Sequence, residues 1–150
     1  MGDINFEWRP EFALGHAEMD DTHHEFVECV QALLTCDDSQ VGAALARFED
    51  HARRHFAEED QWMRTGDYPS AGCHVDEHAA VLRSVVEVGE HVQAGRLDVA
   101  RALAKELARW FPEHAQVMDQ GLARWLAQRQ LGGAPMVIVR RRPAATALSN

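Results

Sequence analysis

Four stretches of helical hydrophobic periodicity, separated by short polar or glycine-containing breaks, leave this chain little choice of fold. The first is read over residues 19–35, where Phe26, Val27, Val30, Leu33 and Leu34 recur at the spacing of one helix face. Asp37, Asp38 and Ser39 break it, and Ser39 is expected to cap the next helix. The second is read over residues 40–65: Leu45, Phe48, Ala52, Phe56, Glu59 and Met63 step along one face, and Gly66 is expected just past its end. Residues 67–72 have turn chemistry. The third is read over residues 73–94, with Val81, Leu82, Val85 and Val88 on its apolar side and Gly95 closing it. The fourth is read over residues 98–130. Pro112 lies inside it, which predicts a lost backbone hydrogen bond and a bend at that point. The one strand-like run, residues 136–139, falls in the tail. Four amphipathic helices with short connections predict an all-α protein, an antiparallel up-and-down four-helix bundle with an N-terminal arm.

The bundle domain is expected to span residues 1–131. Residues 132–150 differ in kind: they hold no acidic residue, two prolines and the run Arg140, Arg141, Arg142, and are expected to be poorly ordered. The whole chain carries a net charge of −9, so the domain without that basic tail stands at −12. Such a balance argues against a nucleic-acid partner, which needs clustered Lys and Arg. No run of about 18 apolar residues predicts a membrane span. The N-terminal segment has neither the basic nor the apolar region of a signal peptide. Cys29, Cys36 and Cys73 are odd in number and read as free thiols, pointing to a reducing, cytoplasmic setting. Cys29 and Cys36 are expected to serve packing.

Nine histidines are the unusual feature, and their spacing carries chemistry. His55 and Glu59 are four apart on the second helix, and His74 and His78 repeat that spacing on the third. Four residues advance a helix by about 400°, so each pair shares a face. The first helix offers His23, and the fourth offers His114 and Asp119. The last two are five apart, which on a regular α-helix leaves them roughly 140° out of register. They share a site only if the helix is distorted there or the site lies alongside it. Any one pair taken alone is an ordinary surface pair; the set is not. Five imidazoles and two carboxylates exceed the four ligands of a tetrahedral zinc and suit two six-coordinate ions sharing carboxylates. Nitrogen and oxygen donors without thiolate point to iron or manganese. His16, His24, His51 and His91 are read as surface residues or as outer contacts of the site, with His51, one turn before His55, facing its outside. Asp20 is read as a helix cap or as a hydrogen-bond acceptor for His23.

Over residues 4–130 the sequence resembles the hemerythrin family in its bacterial single-domain form. The likeness rests on Phe6-Glu7-Trp8, Phe12, Gly15 and Asp20-x-x-His23. It continues through His55-Phe56-x-x-Glu59, Met63, Gly66-Asp67-Tyr68-Pro69, His74-x-x-x-His78 and Trp110-x-x-x-His114-x-x-x-x-Asp119. The resemblance implies two iron ions with an oxo or hydroxo bridge. His74, His78 and His114 would bind one iron, His23 and His55 the other, and Glu59 and Asp119 would bridge them. The second iron would keep an open position for dioxygen, the expected partner. Phe26, Phe56, Trp110, Phe111 and Ala115 are expected to wall the dioxygen pocket; none is cationic, which suits a gas better than an anionic substrate. Ala115 stands where the family carries a larger aliphatic residue and is expected to widen that pocket. The leading expectation is reversible dioxygen binding for storage, delivery or sensing, without enzymatic turnover. A sensing role would call for a separate protein partner. The alternatives are an oxidase, peroxidase or nitric-oxide-handling centre, or iron storage.

Overall fold

The computed structural model describes residues 5–130, so the tail and its strand-like run lie outside the described residues. Helix α1 spans Ala17–Thr35, α2 Val41–Gly66, α3 Ala71–Gln93 and α4 Leu97–His114. A π-helical turn, Ala115–Asp119, joins α4 to α5, Gln120–Gln130. Single 3-10 turns at Pro10–Phe12 and Asp38–Gln40 complete the order. Helix α1 packs on α2 and α4, and α3 packs on the same two, which closes a four-helix ring. The start of α1 (Met19), the end of α2 (Met63), the start of α3 (Val75) and α5 (Leu122) share one apolar cluster. Successive helices therefore alternate in direction, as expected for an up-and-down bundle.

The ends of the helices differ from the sequence reading in informative ways. Ser39 does not cap α2; Asp38–Gln40 tightens into a 3-10 turn and the helix starts at Val41. Asp20 caps nothing and does not reach the site: its carboxylate accepts from the backbone N–H groups of Leu14 and Gly15, at 2.8 and 3.1 Å. His16 takes the cap instead, with Nδ1 accepting from Met19 N–H. The carboxylate thereby secures a turn in which Gly15 has φ +84°, a conformation that disfavours a side chain. Gly66 is the last residue of α2 rather than the residue after it, and Asp67 takes the left-handed conformation. Packing favours a glycine at this position: a Cβ on Gly66 would sit 3.1 Å from Trp125 Nε1 of α5. Gly95 does close α3 as expected, in a left-handed turn with Arg96 N–H bonded to His91 O.

Pro112 does not break or end α4, which runs through it to His114. The irregularity falls just beyond, where Gln120 N–H bonds to Ala115 O five residues back. Residues of α1, α2, α3 and α4 fill one large core that includes Phe26, Leu33, Leu45, Phe48, Val85, Ala104 and Phe111. Cys29 is buried in it and Cys36 packs against it, as the packing reading expects. The arm crosses over this core: Phe6 and Phe12 are buried with their rings edge-on to Phe111, and Phe6 N–H is held by Gln31 Oε1 of α1. His24 stacks on Trp8 of the arm at 3.6 Å between ring centroids.

Candidate metal centre

A polar layer sits between the large core and the small cluster at the other end of the bundle. His23 enters it from α1, His55 and Glu59 from α2, His74 and His78 from α3, His114 from the end of α4 and Asp119 from the end of the π turn. All seven are buried, none more than 5% exposed. They fall into two groups whose donor atoms lie within 4.8 Å of one another: His74, His78 and His114 with Glu59 and Asp119, and His23 and His55 with Glu59.

The carboxylates divide themselves between the groups. Glu59 Oε1 lies 3.3 Å from His78 Nε2 and 3.6 Å from His74 Nε2, while Oε2 lies 2.9 Å from His55 Nε2 and 3.3 Å from His23 Nε2. Asp119 Oδ1 lies 2.8 Å from His74 Nε2 and 3.3 Å from His114 Nε2, while Oδ2 lies 3.1 Å from His23 Nε2. Each acid thus turns one oxygen to the three-histidine group and the other to the two-histidine side. The five-residue spacing of His114 and Asp119 is accommodated by the π turn, whose hydrogen bond spans five residues rather than four.

Hydrogen bonding shows that this layer wants a cation. Nε2 of His74, His78 and His114, Oε1 of Glu59 and Oδ1 of Asp119 are buried with no hydrogen-bond partner. Buried polar atoms are rarely left so, and here they converge on one space. The far nitrogens of three histidines are engaged: His78 Nδ1 with Asp60 Oδ1 at 2.8 Å, His114 Nδ1 with Glu77 Oε1 at 2.8 Å, and His55 Nδ1 with His51 Nε2 at 3.2 Å. Such partners fix ring orientation and leave Nε2 free as a donor to metal. Glu77 is itself braced by Trp110 Nε1–H. The residues therefore fit a pair of bound ions.

Charge tells the same story for the metal-free protein. Burial pushes the His23 and His74 imidazoles down, but the carboxylates of Asp119 and Glu59 close beside them outweigh it and hold both up at about 9. Burial pushes the two acids up, yet the surrounding imidazoles hold Glu59 and Asp119 well below the ordinary carboxylate range. Raised histidines stabilise the fold fully below their ordinary value of 6.5, and that gain is lost as pH rises through about 9. Depressed acids stabilise it above their ordinary values of 3.8 and 4.5, and that gain is lost on acidification. Chelator-treated protein is expected to melt highest between about pH 4.5 and 6.5 and to lose stability towards about pH 9, whereas metal, by replacing the protons, removes the alkaline loss. Thermal melts across that range check this; an apo melting temperature that rises between about pH 7 and 9 would contradict it.

The sequence matches the hemerythrin HHE cation binding domain over residues 14–126. The chain belongs to the hemerythrin family. It is also similar to a bacteriohemerythrin of Ralstonia nicotianae, 37% identical over 123 residues that cover 82% of this chain and 90% of the relative. Membership brings a metal-binding, oxygen-related role, and the buried His, Glu and Asp cluster is where this hemerythrin chain can hold metal. Among the described residues no helix is long and apolar enough to cross a membrane.

The aromatic residues expected around a pocket flank both halves of the layer. Phe111 lies edge-on to His23 and stacks with Phe26, and Phe26 lies edge-on to His55. Phe56 stacks on His78 at 4.1 Å and Trp110 on His114 at 4.2 Å, so these two rings pack chiefly on the three-histidine group. Ala115 is fully buried at the head of the π turn. Asp60 and Glu77 escaped the sequence reading. Each adjoins a residue of the set in sequence, Glu59 and His78, but meets a histidine on a different helix, which spacing along one helix does not reveal. His51 faces the outside of the site, as its position one turn before His55 suggested. His16 and His24 belong to the helix cap and the arm.

Proposed function

We propose that His74, His78 and His114 bind one iron, His23 and His55 bind a second, Glu59 and Asp119 bridge them, and the chain binds dioxygen reversibly at the pair. The observation that carries this reading is the split of each buried carboxylate between a three-histidine and a two-histidine group. The unequal count leaves the two-histidine ion one protein ligand short. When bound, a diiron pair supplies the two electrons that dioxygen takes up and returns.

The protein's part is to hold and to exclude. Asp60 and Glu77 keep the His78 and His114 rings turned inward. Phe26 and Phe111 wall the two-histidine side with fully buried rings, and Phe6 and Phe12 of the arm close over Phe111. Such a wall excludes water and stray protons, which is what return of the gas unchanged requires. Three unpaired thiols suit a reducing, cytoplasmic setting for this work.

Metal analysis, with absorption spectra of the reduced protein before and after air, tests the proposal. Iron at two ions per chain and a new band that persists for minutes and reverses on removing oxygen are expected. Rapid decay of the band coupled to loss of a reductant would favour an oxidase, and no oxygen-dependent change would favour storage or a structural metal. His78→Ala is expected to lower iron content and abolish the band; full loading with an unaltered band would defeat the ligand assignment.

A further inference from the structure

His51 is a fully buried histidine outside the seven, set between α1 and α2 with its ring beside Phe26 and Phe48. An imidazole in such apolar company is costly unless its nitrogens are engaged. Its Nε2 lies 3.2 Å from His55 Nδ1; its Nδ1 lies 3.4 Å from Oε1 of Glu25 on α1, an ion-pair distance without hydrogen-bond geometry. The other oxygen of Glu25 accepts from Arg54 at 3.1 Å, on the surface. A chain of polar contacts therefore runs from the two-histidine side of the centre to the exterior.

We propose that His51 is a positioning residue, which fixes the orientation and tautomer of His55, and that Glu25 and Arg54 fix His51 in turn. The direction of the chain follows from donor chemistry. A carboxylate only accepts, so the proton of neutral His51 belongs on Nδ1, facing Glu25. Its Nε2 is left to accept, so His55 would donate from Nδ1 once its Nε2, 2.9 Å from Glu59 Oε2 in the metal-free protein, gives its lone pair to an ion instead. His78 and His114 receive this service from the carboxylates Asp60 and Glu77. His55 receives it from an uncharged ring, which makes His55 the less basic donor and the two-histidine ion the less tightly held.

This inference rests on the proposal that His55 is a metal ligand, and the test separates the two. Metal-free full-length chain is titrated with cobalt(II), following visible absorption and the hyperfine-shifted exchangeable N–H signals of the imidazoles. His51→Leu is expected to weaken one of two binding steps by about 10–100-fold, to leave the other unchanged, and to lose one slowly exchanging N–H signal. His51→Gln, whose amide oxygen can accept from His55, is expected to recover most of the affinity and the signal. Glu25→Ala, a surface change that leaves His51 in place, is expected to weaken the same step by a few-fold. Wild-type binding with the signal intact in His51→Leu, or a His51→Gln no better than His51→Leu, would overturn the role. Should His51→Leu fail to fold, Glu25→Ala and His51→Gln decide: an unchanged weaker step in the first, or the loss of both steps in the second, overturns it. His55→Ala that retains both steps sinks the ligand assignment itself; His55→Ala that loses one step, beside a silent His51→Leu, sinks only the inference about His51.

Discussion

Glu59→Ala is expected to leave the chain unable to retain metal in either half of the centre. Glu59 belongs to both donor groups, with Oε1 towards His74 and His78 and Oε2 towards His23 and His55. No neighbouring acid can replace it: Asp60 is engaged with His78 Nδ1 on the outside of the ring, and Asp119 already spans the opposite edge. The loss should exceed the roughly 10–100-fold typical of changing a partner behind a ligand. Stability falls as well. Removing one member of a buried charge pair costs about 3–5 kcal/mol, because the imidazoles left behind lose their counter-charge. Metal analysis and a melt of the purified variant check both effects. Retention of two ions at near wild-type affinity would show that Glu59 does not bridge.

Phe111→Ala is expected to destabilise the protein by about 3–5 kcal/mol, as large-to-small changes at buried aromatic positions do. Phe111 is 1% exposed, stacks on Phe26 at 4.8 Å between centroids, and makes T-shaped contacts with Phe6 and Phe12 of the arm. Its ring stands nearly perpendicular to that of His23, 5.2 Å between centroids. The cavity left behind therefore opens beside the two-histidine side and under the arm at once. The oxygenated band should decay faster in this variant than in the wild type, while iron content holds, because no donor atom has been removed. Denaturant unfolding and the decay of the band measure the two effects separately. A wild-type decay rate in a folded, iron-loaded Phe111→Ala would show that this ring does not shield the site.

The four helices and the pairs His55 with Glu59 and His74 with His78 were legible because periodicity and spacing are local properties, whereas His23, His114 and Asp119 joined them as one set only through the resemblance to the hemerythrin family. His55 with Glu59 and His74 with His78 share faces by helix geometry alone. The ends were less legible. Gly66 stands against Trp125 of α5, a contact between helices that local patterns do not show; at residue 39, a 3-10 turn displaces the cap that composition suggested. The spacing of His114 and Asp119 was the most telling misfit. It required either a distorted helix or a site lying alongside one, and Pro112 was the irregularity visible in the sequence; α4 runs through the proline, and the backbone widens into a π turn one residue beyond His114. Asp60 and Glu77 could not be read at all, since their roles depend on which helices become neighbours.

The polar layer also divides the hydrocarbon interior unequally. On one side lies an extended block built from all four long helices and the arm; on the other, Met19, Met63, Leu122 and Ala123 with a fringe of half-buried rings. The smaller block rests on four buried residues, so metal held in the polar layer is expected to act as the keystone for that end. Stripped of metal, the molecule should not melt uniformly: amide exchange would quicken first in α5, the close of α2 and the opening turns of α1 and α3, while the far end stays protected. Metal supply would then govern how long this end of the molecule survives proteases, independently of any gas it carries.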